Sequence, residues 1–323
     1  MAEHRASGLP HTNDLIRQTI AKVSNWGRWG PDDEFGTVNF IDAAKRRQAA
    51  TLVESGRVFS LAIPLDEAGP QPDFERRLNP RHIMLETGTD LLAHVQRGSV
   101  GGWGFADDMV VMALQCGTQW DSLAHAFHDF KMYNDRDCAL VSAAGAEKNA
   151  IQVLADRIVT RAVLVDLPRY LGLDWLEPTH RVTVEEMEGA LRAEHTDIGR
   201  GDVMLLRTGN LARAQASGSW AKYTYADEPG IGVETLPWFY EREVAAIAAD
   251  TWAVEALPSQ TPLRFAVHAV AIVYMGLLLG EIFALDALAS DCAADGRYDC
   301  LLVAPPLPFS KAVGSPVNPI AVK

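Results

Sequence analysis

At 323 residues, with 48% hydrophobic and 22% charged residues, the chain has the composition of an ordinary soluble globular protein, and its length allows one large domain or two small ones. A formal net charge of −13 at pH 7 would repel both nucleic acid and an anionic membrane surface, so neither is an expected partner. Four cysteines (Cys116, Cys138, Cys292, Cys300) without Cys-x-x-Cys spacing read as reduced thiols, and Met1-Ala2-Glu3-His4-Arg5 lacks the apolar core of a signal peptide, so a cytoplasmic location is expected.

Residues 1–12, with Gly8, Pro10 and two histidines among small polar residues, read as a loosely ordered N-terminus, leaving 13–323 as a single domain. A helix is expected from about Asn13 to Asn25, and a second from Asp42 to Glu54 with Asp42 as cap and Gly56 as terminator. Arg57 to Ile63 reads as a strand ended by Pro64, and the Gly-, Pro- and charge-rich stretch 66–105 as long active-site loops. Met109 to Leu114 is expected to be a buried strand. Further on, Arg161–Asp166 and Val203–Arg207 are short apolar strands bracketing a helix, Thr183 to Ala193, with a Thr183–Glu186 capping box. Val244 to Ala249 is an apolar run ending in Asp250. The most apolar run, Phe265 to Leu279, is interrupted by His268 and Gly276 and is shorter than the roughly 20 residues of a membrane span. It belongs in a core or at a subunit interface. Strands interspersed with helices point to an α/β architecture.

The stretch that carries most chemistry is Gln115-Cys-Gly-Thr-Gln-Trp-Asp-Ser-Leu-Ala-His125. It places two amides, a carboxylate and an imidazole around a Gly-Thr turn. All four polar positions are odd, so a straight strand would put them on one face, but Gln115 and Gln119 would then lie roughly 13 Å apart. A helix would bring those two together and swing Asp121 away. Gly117 offers a third solution, in which the chain folds back and the groups converge. Asp121 stands in an apolar setting of Trp120, Leu123 and Ala124, where a carboxylate is costly unless a cation or hydrogen-bond donor meets it. It reads either as a metal ligand or as the cap of a helix starting at Ser122.

The motif resembles His-x-Gly-Thr-His-x-Asp-x-x-x-His, the signature of the metal-dependent cyclase and hydrolase family that includes bacterial kynurenine formamidase and isatin hydrolase. Gly117, Thr118, Asp121 and His125 stand in register with it, and Gln115 and Gln119 replace its two leading histidines. Other segments are also similar: Trp29-Gly30-Pro31-Asp32-Asp33-Glu34, Thr37-Val38-Asn39, Gly201-Asp202-Val203 to Arg207-Thr208-Gly209, Asp250-Thr251, His268, Glu281, and Val303-Ala304-Pro305-Pro306-Leu307. The resemblance implies a single-domain swivelling β/β/α fold and a homodimer or larger assembly. It also implies hydrolysis of an amide, formamide, cyclic amide or imide, or lactone in a small organic molecule.

By the same resemblance Asp121 and His125 are the catalytic pair, His125 acting as general acid/base. His128 competes with His125 for that role. Asp121, Gln115, Gln119, His268 and Glu281 would hold a divalent metal, Mn²⁺ or Zn²⁺. Two glutamines in place of histidines remove most of the nitrogen donors that zinc favours, which leaves open a harder metal, a metal-free cyclase or lyase using Asp121 and His125, or a non-catalytic binding protein. Trp29, Trp103, Trp120, Phe127 and Phe130 are candidates to line an aromatic substrate pocket. Arg207, Asp250 and Arg264 are charges near apolar strands, as fit for ion pairs as for substrate contact.

Overall fold

The computed structural model describes residues 13–72 and 77–323; the expected loose segment 1–12 lies outside them. The first helix, α1 (Asp14–Val23), begins where the Asn13 side chain accepts from the Ile16 amide, and α2 (Ala43–Ala50) where the Asp42 carboxylate accepts from Lys45. Both caps are the ones legible in the sequence.

Strand β1 (Val58–Ser60) leads to a two-stranded ribbon of β2 (Arg81–Glu86) and β3 (Asp107–Val111). Next come β4 (Gln119–Asp121), β5 (Val159–Asp166), helix α3 (Val184–Ala193), β6 (Val203–Arg207), β7 (Ala246–Ala249), β8 (Leu278–Glu281), β9 (Asp299–Val303), β10 (Gly314–Pro316) and β11 (Ile320–Val322). Nine of these strands form one mixed sheet in the order β1-β11-β9-β5-β6-β7-β8-β4-β10. Its centre, β5 to β8, is parallel, and β4 joins β8 antiparallel. Parallel strands covered on both faces read as continuous apolar runs, and β6 and β7 (Val-Met-Leu-Leu and Ala-Ile-Ala-Ala) are buried throughout. The expected α/β class and the strands at 161–166, 203–207 and 244–249 are thus found.

The 109–114 strand differs from expectation. Met109, Val110 and Val111 sit in the β2–β3 ribbon, where every residue of β3 is exposed. An apolar run reads as buried by composition alone, yet a ribbon with no sheet or helix on either face buries neither set of side chains. The stretch 66–105 is also less irregular than expected, since it contains β2 and a short helix, Gly88–Leu92.

The apolar run near residue 270 is core. Ala266–His268 is a turn of α-helix that continues as a π-helix over Ala269–Met275, and all of its residues are buried. It ends at Gly276 in the left-handed conformation. There the N-terminal segment crosses it: the Thr37 amide and hydroxyl donate to the Gly276 carbonyl at 2.9 and 3.0 Å, and Gly36 lies directly against the Gly276 backbone. Asp33 fixes this crossing by accepting from the Gly36 amide, Asn39 and the Tyr133 hydroxyl. The segment that resembles the family's N-terminus is therefore a structural clamp.

One carboxylate far from the motif gives a test of the fold's electrostatics. Glu194, at the end of α3, is 6% exposed. One of its oxygens accepts from the Asp166 amide, and the other has no partner. Burial pushes its pKa up to about 8, against the opposing Asp166 hydrogen bond. Because the folded value lies above the ordinary 4.5, the native state holds the proton more tightly, and stability falls as pH rises from 4.5 to about 8. Glu194→Gln should remove that slope. We expect the variant to gain a few kcal/mol on the wild type between pH 5 and pH 9. Urea midpoints at the two pH values check it; parallel shifts of the two proteins would sink the assignment.

Candidate metal and active site

The site is assembled by strand alternation. Gln119 and Asp121 are two residues apart on β4 and share a face, while Trp120 points to the other. Glu281 of β8 pairs in register with Gln119, so its side chain joins the same face. Trp120, expected in the substrate pocket, is fully buried in the core, donating to the Ala304 carbonyl and meeting Phe283 edge-on. Gly280, its cross-strand partner, leaves the room: a Cβ there would lie 2.7 Å from the indole. The hydroxyl of Thr118 bridges the Ile63 amide and the Ile282 carbonyl, tying the turn to the strands around it. Gly117 is not left-handed; a Cβ there would press on Leu65 at 2.8 Å. It permits close packing, and the convergence of groups comes from the sheet.

His268 enters from the helix across the face. Its Nδ1 donates to Glu255 at 2.6 Å, and its Nε2 lies 3.3 Å from Glu281 Oε1 and 3.8 Å from Asp121 Oδ2. Ligand atoms of Asp121, His268 and Glu281 all lie within 4.8 Å of one another, and all three residues are buried. Glu255 accepts from the backbone amides of Val267 and His268 as well, so it fixes both the ring and the helix end that carries it. Nothing in the sequence singled it out. The two carboxylates flanking His268 adjoin β-branched residues with left-handed backbones, Val254 (φ 62) and Ile282 (φ 60). Such conformations cost about 1–3 kcal/mol each and collect at functional sites.

The polar bookkeeping is incomplete here in a telling way. Among the described residues, both carboxylate oxygens of Asp121, Oε1 of Gln119 and Nδ1 of His125 are buried without a hydrogen-bond partner. The Gln119 amide nitrogen donates to Glu281. Asp121 is not a helix cap, since residues 122–125 form turns with no helix. Burial raises its pKa, opposed by His125 and reinforced by Glu281. Burial holds His125 below the ordinary imidazole range, opposed chiefly by Asp121, whose carboxylate is 3.8 Å away, beyond hydrogen-bond reach. For His268 burial also disfavours the cation, but the bonds to Glu255 and Glu281 prevail and raise its pKa well above the usual value. A buried carboxylate without donors costs several kcal/mol unless a cation meets it. Two carboxylates and one imidazole, with an unpartnered amide oxygen on the same strand face, therefore fit a divalent metal.

His268 and Glu281 of this cluster line a cavity of about 450 Å³ together with His125, Phe127, Tyr225, Trp252, Phe265 and two arginines, Arg77 and Arg264, among others. Of the five aromatic candidates only Phe127 lines it. Trp29 packs against Phe40, Trp103 against Phe105, and Phe130 projects to the surface. Gln115 packs over Gly314, which pairs with Asp121 on β10, so its amide lies over the sheet face that carries the Asp121 side chain. His128 bonds to the Tyr274 hydroxyl, outside the cavity. Arg207 pairs with Asp166 and Asp286, and Asp250 accepts from Thr208 and Gly209, so both are structural. Trp252, Phe265 and Tyr225 escaped the sequence reading because they are far from the motif and reach the cavity only through the fold.

A model of the cyclase family matches residues 59–256. A crystal structure described as a novel cyclase is 38% identical, with a TM-score of 0.84, covering 93% of this chain and 100% of its own. This chain belongs to the cyclase family. Other solved cyclase-like folds are more distant. Isatin hydrolase A from Labrenzia aggregata is 19% identical (TM-score 0.60, covering 84% of this chain and 94% of its own). A predicted metal-dependent hydrolase from Bacillus stearothermophilus is 15% identical (TM-score 0.51, covering 83% and 98%). These two share the fold. No curated protein matches the sequence. Among the described residues no helix is long and apolar enough to cross a membrane.

Proposed function

We propose that this cyclase-family chain is a metal-assisted hydrolase of an amide, formamide, cyclic amide or imide, or lactone bond in a small organic molecule. The observation that carries the reading is the Asp121 carboxylate, without a hydrogen-bond partner among the described residues, clustered with His268 and Glu281 of the cavity wall and sharing a strand face with Gln119. These four residues would hold the ion, and a bound metal there would polarise a carbonyl and lower the pKa of water. Glu255 holds the His268 ring so that Nε2 faces Asp121 and Glu281, a carboxylate–histidine support typical of metal sites. His125 is neutral near pH 7 by its depressed pKa and lines the cavity. It can take a proton from water and return it to the departing nitrogen or oxygen. Phe127, Trp252 and Phe265 line the cavity with apolar surface and exclude water from the reacting bond. The exposed apolar ribbon of β2 and β3 supports assembly of two or more copies.

Protein purified without a metal-affinity tag should be assayed on formamides, cyclic amides and lactones, with EDTA and with Mn²⁺ or Zn²⁺. Turnover abolished by EDTA and restored by Mn²⁺ is the expected result. Turnover indifferent to EDTA but lost in His125→Ala would replace the hydrolytic mechanism with a metal-free one. Thermal stabilisation by ligand without turnover would make the chain a binding protein.

A further inference from the structure

Two guanidinium groups line the cavity without a carboxylate partner among the described residues. The hydrogen bond of Arg77 is a long one, 3.5 Å, to the Gln115 carbonyl. Arg264 lies over the Phe265 ring at 5.1 Å, and Arg77 over Trp252 at 5.7 Å. Two other half-buried arginines are, by contrast, held by carboxylates: Arg161 meets Asp202 and Asp299, and Arg207 meets Asp166 and Asp286. A guanidinium stacked on an aromatic face keeps its in-plane donors free, in a fork that matches a carboxylate. The pair puts two positive charges on the cavity wall of a chain whose net charge is −13, so it would attract a small anion there.

We propose that Arg77 and Arg264 select an aromatic monocarboxylate, a ring bearing one carboxylate next to the bond that is cleaved. The carboxylate would bind to the arginines and the ring would lie between Phe127, Trp252 and Phe265, which present the cavity's apolar surface. A more highly charged anion such as a phosphate ester is disfavoured, because Glu281 lines the cavity with Asp121 clustered beside it and like charges repel strongly in a low-dielectric cavity. This specificity rests on the hydrolase reading for its biological meaning, but its test is binding and needs no turnover.

The probes are phthalamate, a benzene ring with adjacent carboxylate and amide, and its neutral counterpart phthalamide. Calorimetric titration of the protein, as purified and again after EDTA, should show phthalamate binding at least about tenfold more tightly than phthalamide. Arg264→Gln, at an exposed position, should erase most of that preference by weakening phthalamate far more than phthalamide, and Arg77→Gln should do the same. Equal affinity for the two probes, no saturable phthalamate binding at millimolar concentration, or a preference lost with EDTA but kept in both arginine variants would each overturn the proposal. Failure of the hydrolase reading shows differently: phthalamate would still be preferred, with no amide or lactone turned over under any metal condition.

Discussion

Asp121→Asn should abolish turnover while leaving the metal-free protein at least as stable as the wild type. The substitution keeps the shape of a side chain that is wholly buried and removes a carboxylate whose two oxygens have no hydrogen-bond partner. Relief of an unpaired buried charge is worth about 1–3 kcal/mol or more in comparable cases, which offsets any loss of packing. Function should move the other way. Loss of one preorganised electrostatic partner of the reacting group costs about 10²–10³-fold in rate, and here the same residue would also hold the ion, so a fall of at least 10³-fold is the rough expectation. Unfolding measured with and without Mn²⁺ separates the two effects. At a hundredfold excess over its dissociation constant the ion should stabilise the wild type by about 2.7 kcal/mol, or roughly 4 °C in Tm, and should leave Asp121→Asn unmoved. A variant that unfolds far more easily without metal, yet still gains stability from Mn²⁺, would show Asp121 to be a structural residue.

Gly36→Ala should be among the most destabilising single changes in the chain, although it lies outside the motif. Gly36 has φ +56, and a Cβ on it would fall inside the van der Waals envelope of the Gly276 carbonyl oxygen and carbon. A left-handed alanine costs about 1–2 kcal/mol, and forcing two backbones apart adds about 1–3 kcal/mol. The crossing also carries the Thr37 bonds to Ala245 and Gly276, which would be stretched with it. A total of about 3–5 kcal/mol is a large part of ordinary domain stability and corresponds to roughly 5–7 °C in Tm. Gly27→Ala is the matched control, since Gly27 has φ +75 with nothing within 4 Å; it isolates the backbone penalty and should cost about 1–2 kcal/mol. Equal losses in the two variants would mean that the crossing yields easily.

The crossing also shows where sequence reading stops. Gly36 is legible as a glycine, but its partner is 240 residues away, and no local pattern announces the contact. Glu255 is similar. Its oxygens meet the His268 ring and two amides, a role created by the path of the chain between β7 and the helix that carries His268. Arg264 is as fit for an ion pair as for substrate contact by sequence, and it has no carboxylate beside it among the described residues, because the segment after Leu257 brings it to the cavity wall.

What the sequence determined alone is what depends on neighbours a few residues away. The caps at Asn13, Asp42 and Thr183 are local hydrogen bonds between side chain and amide, the parallel strands are local apolar runs, and the motif Gly117-Thr118-x-x-Asp121-x-x-x-His125 announces its family by its own spacing. What only the tertiary structure decided is which side of each element meets which partner. It turned Trp120 into the core and Gln119 with Asp121 into the site, by the two-residue period of β4. It set Glu281 opposite Gln119 through the β4–β8 register, and it left the apolar β3 in the open. Burial and register are properties of pairs of segments, and the free energy that selects them comes from surfaces far apart in the chain.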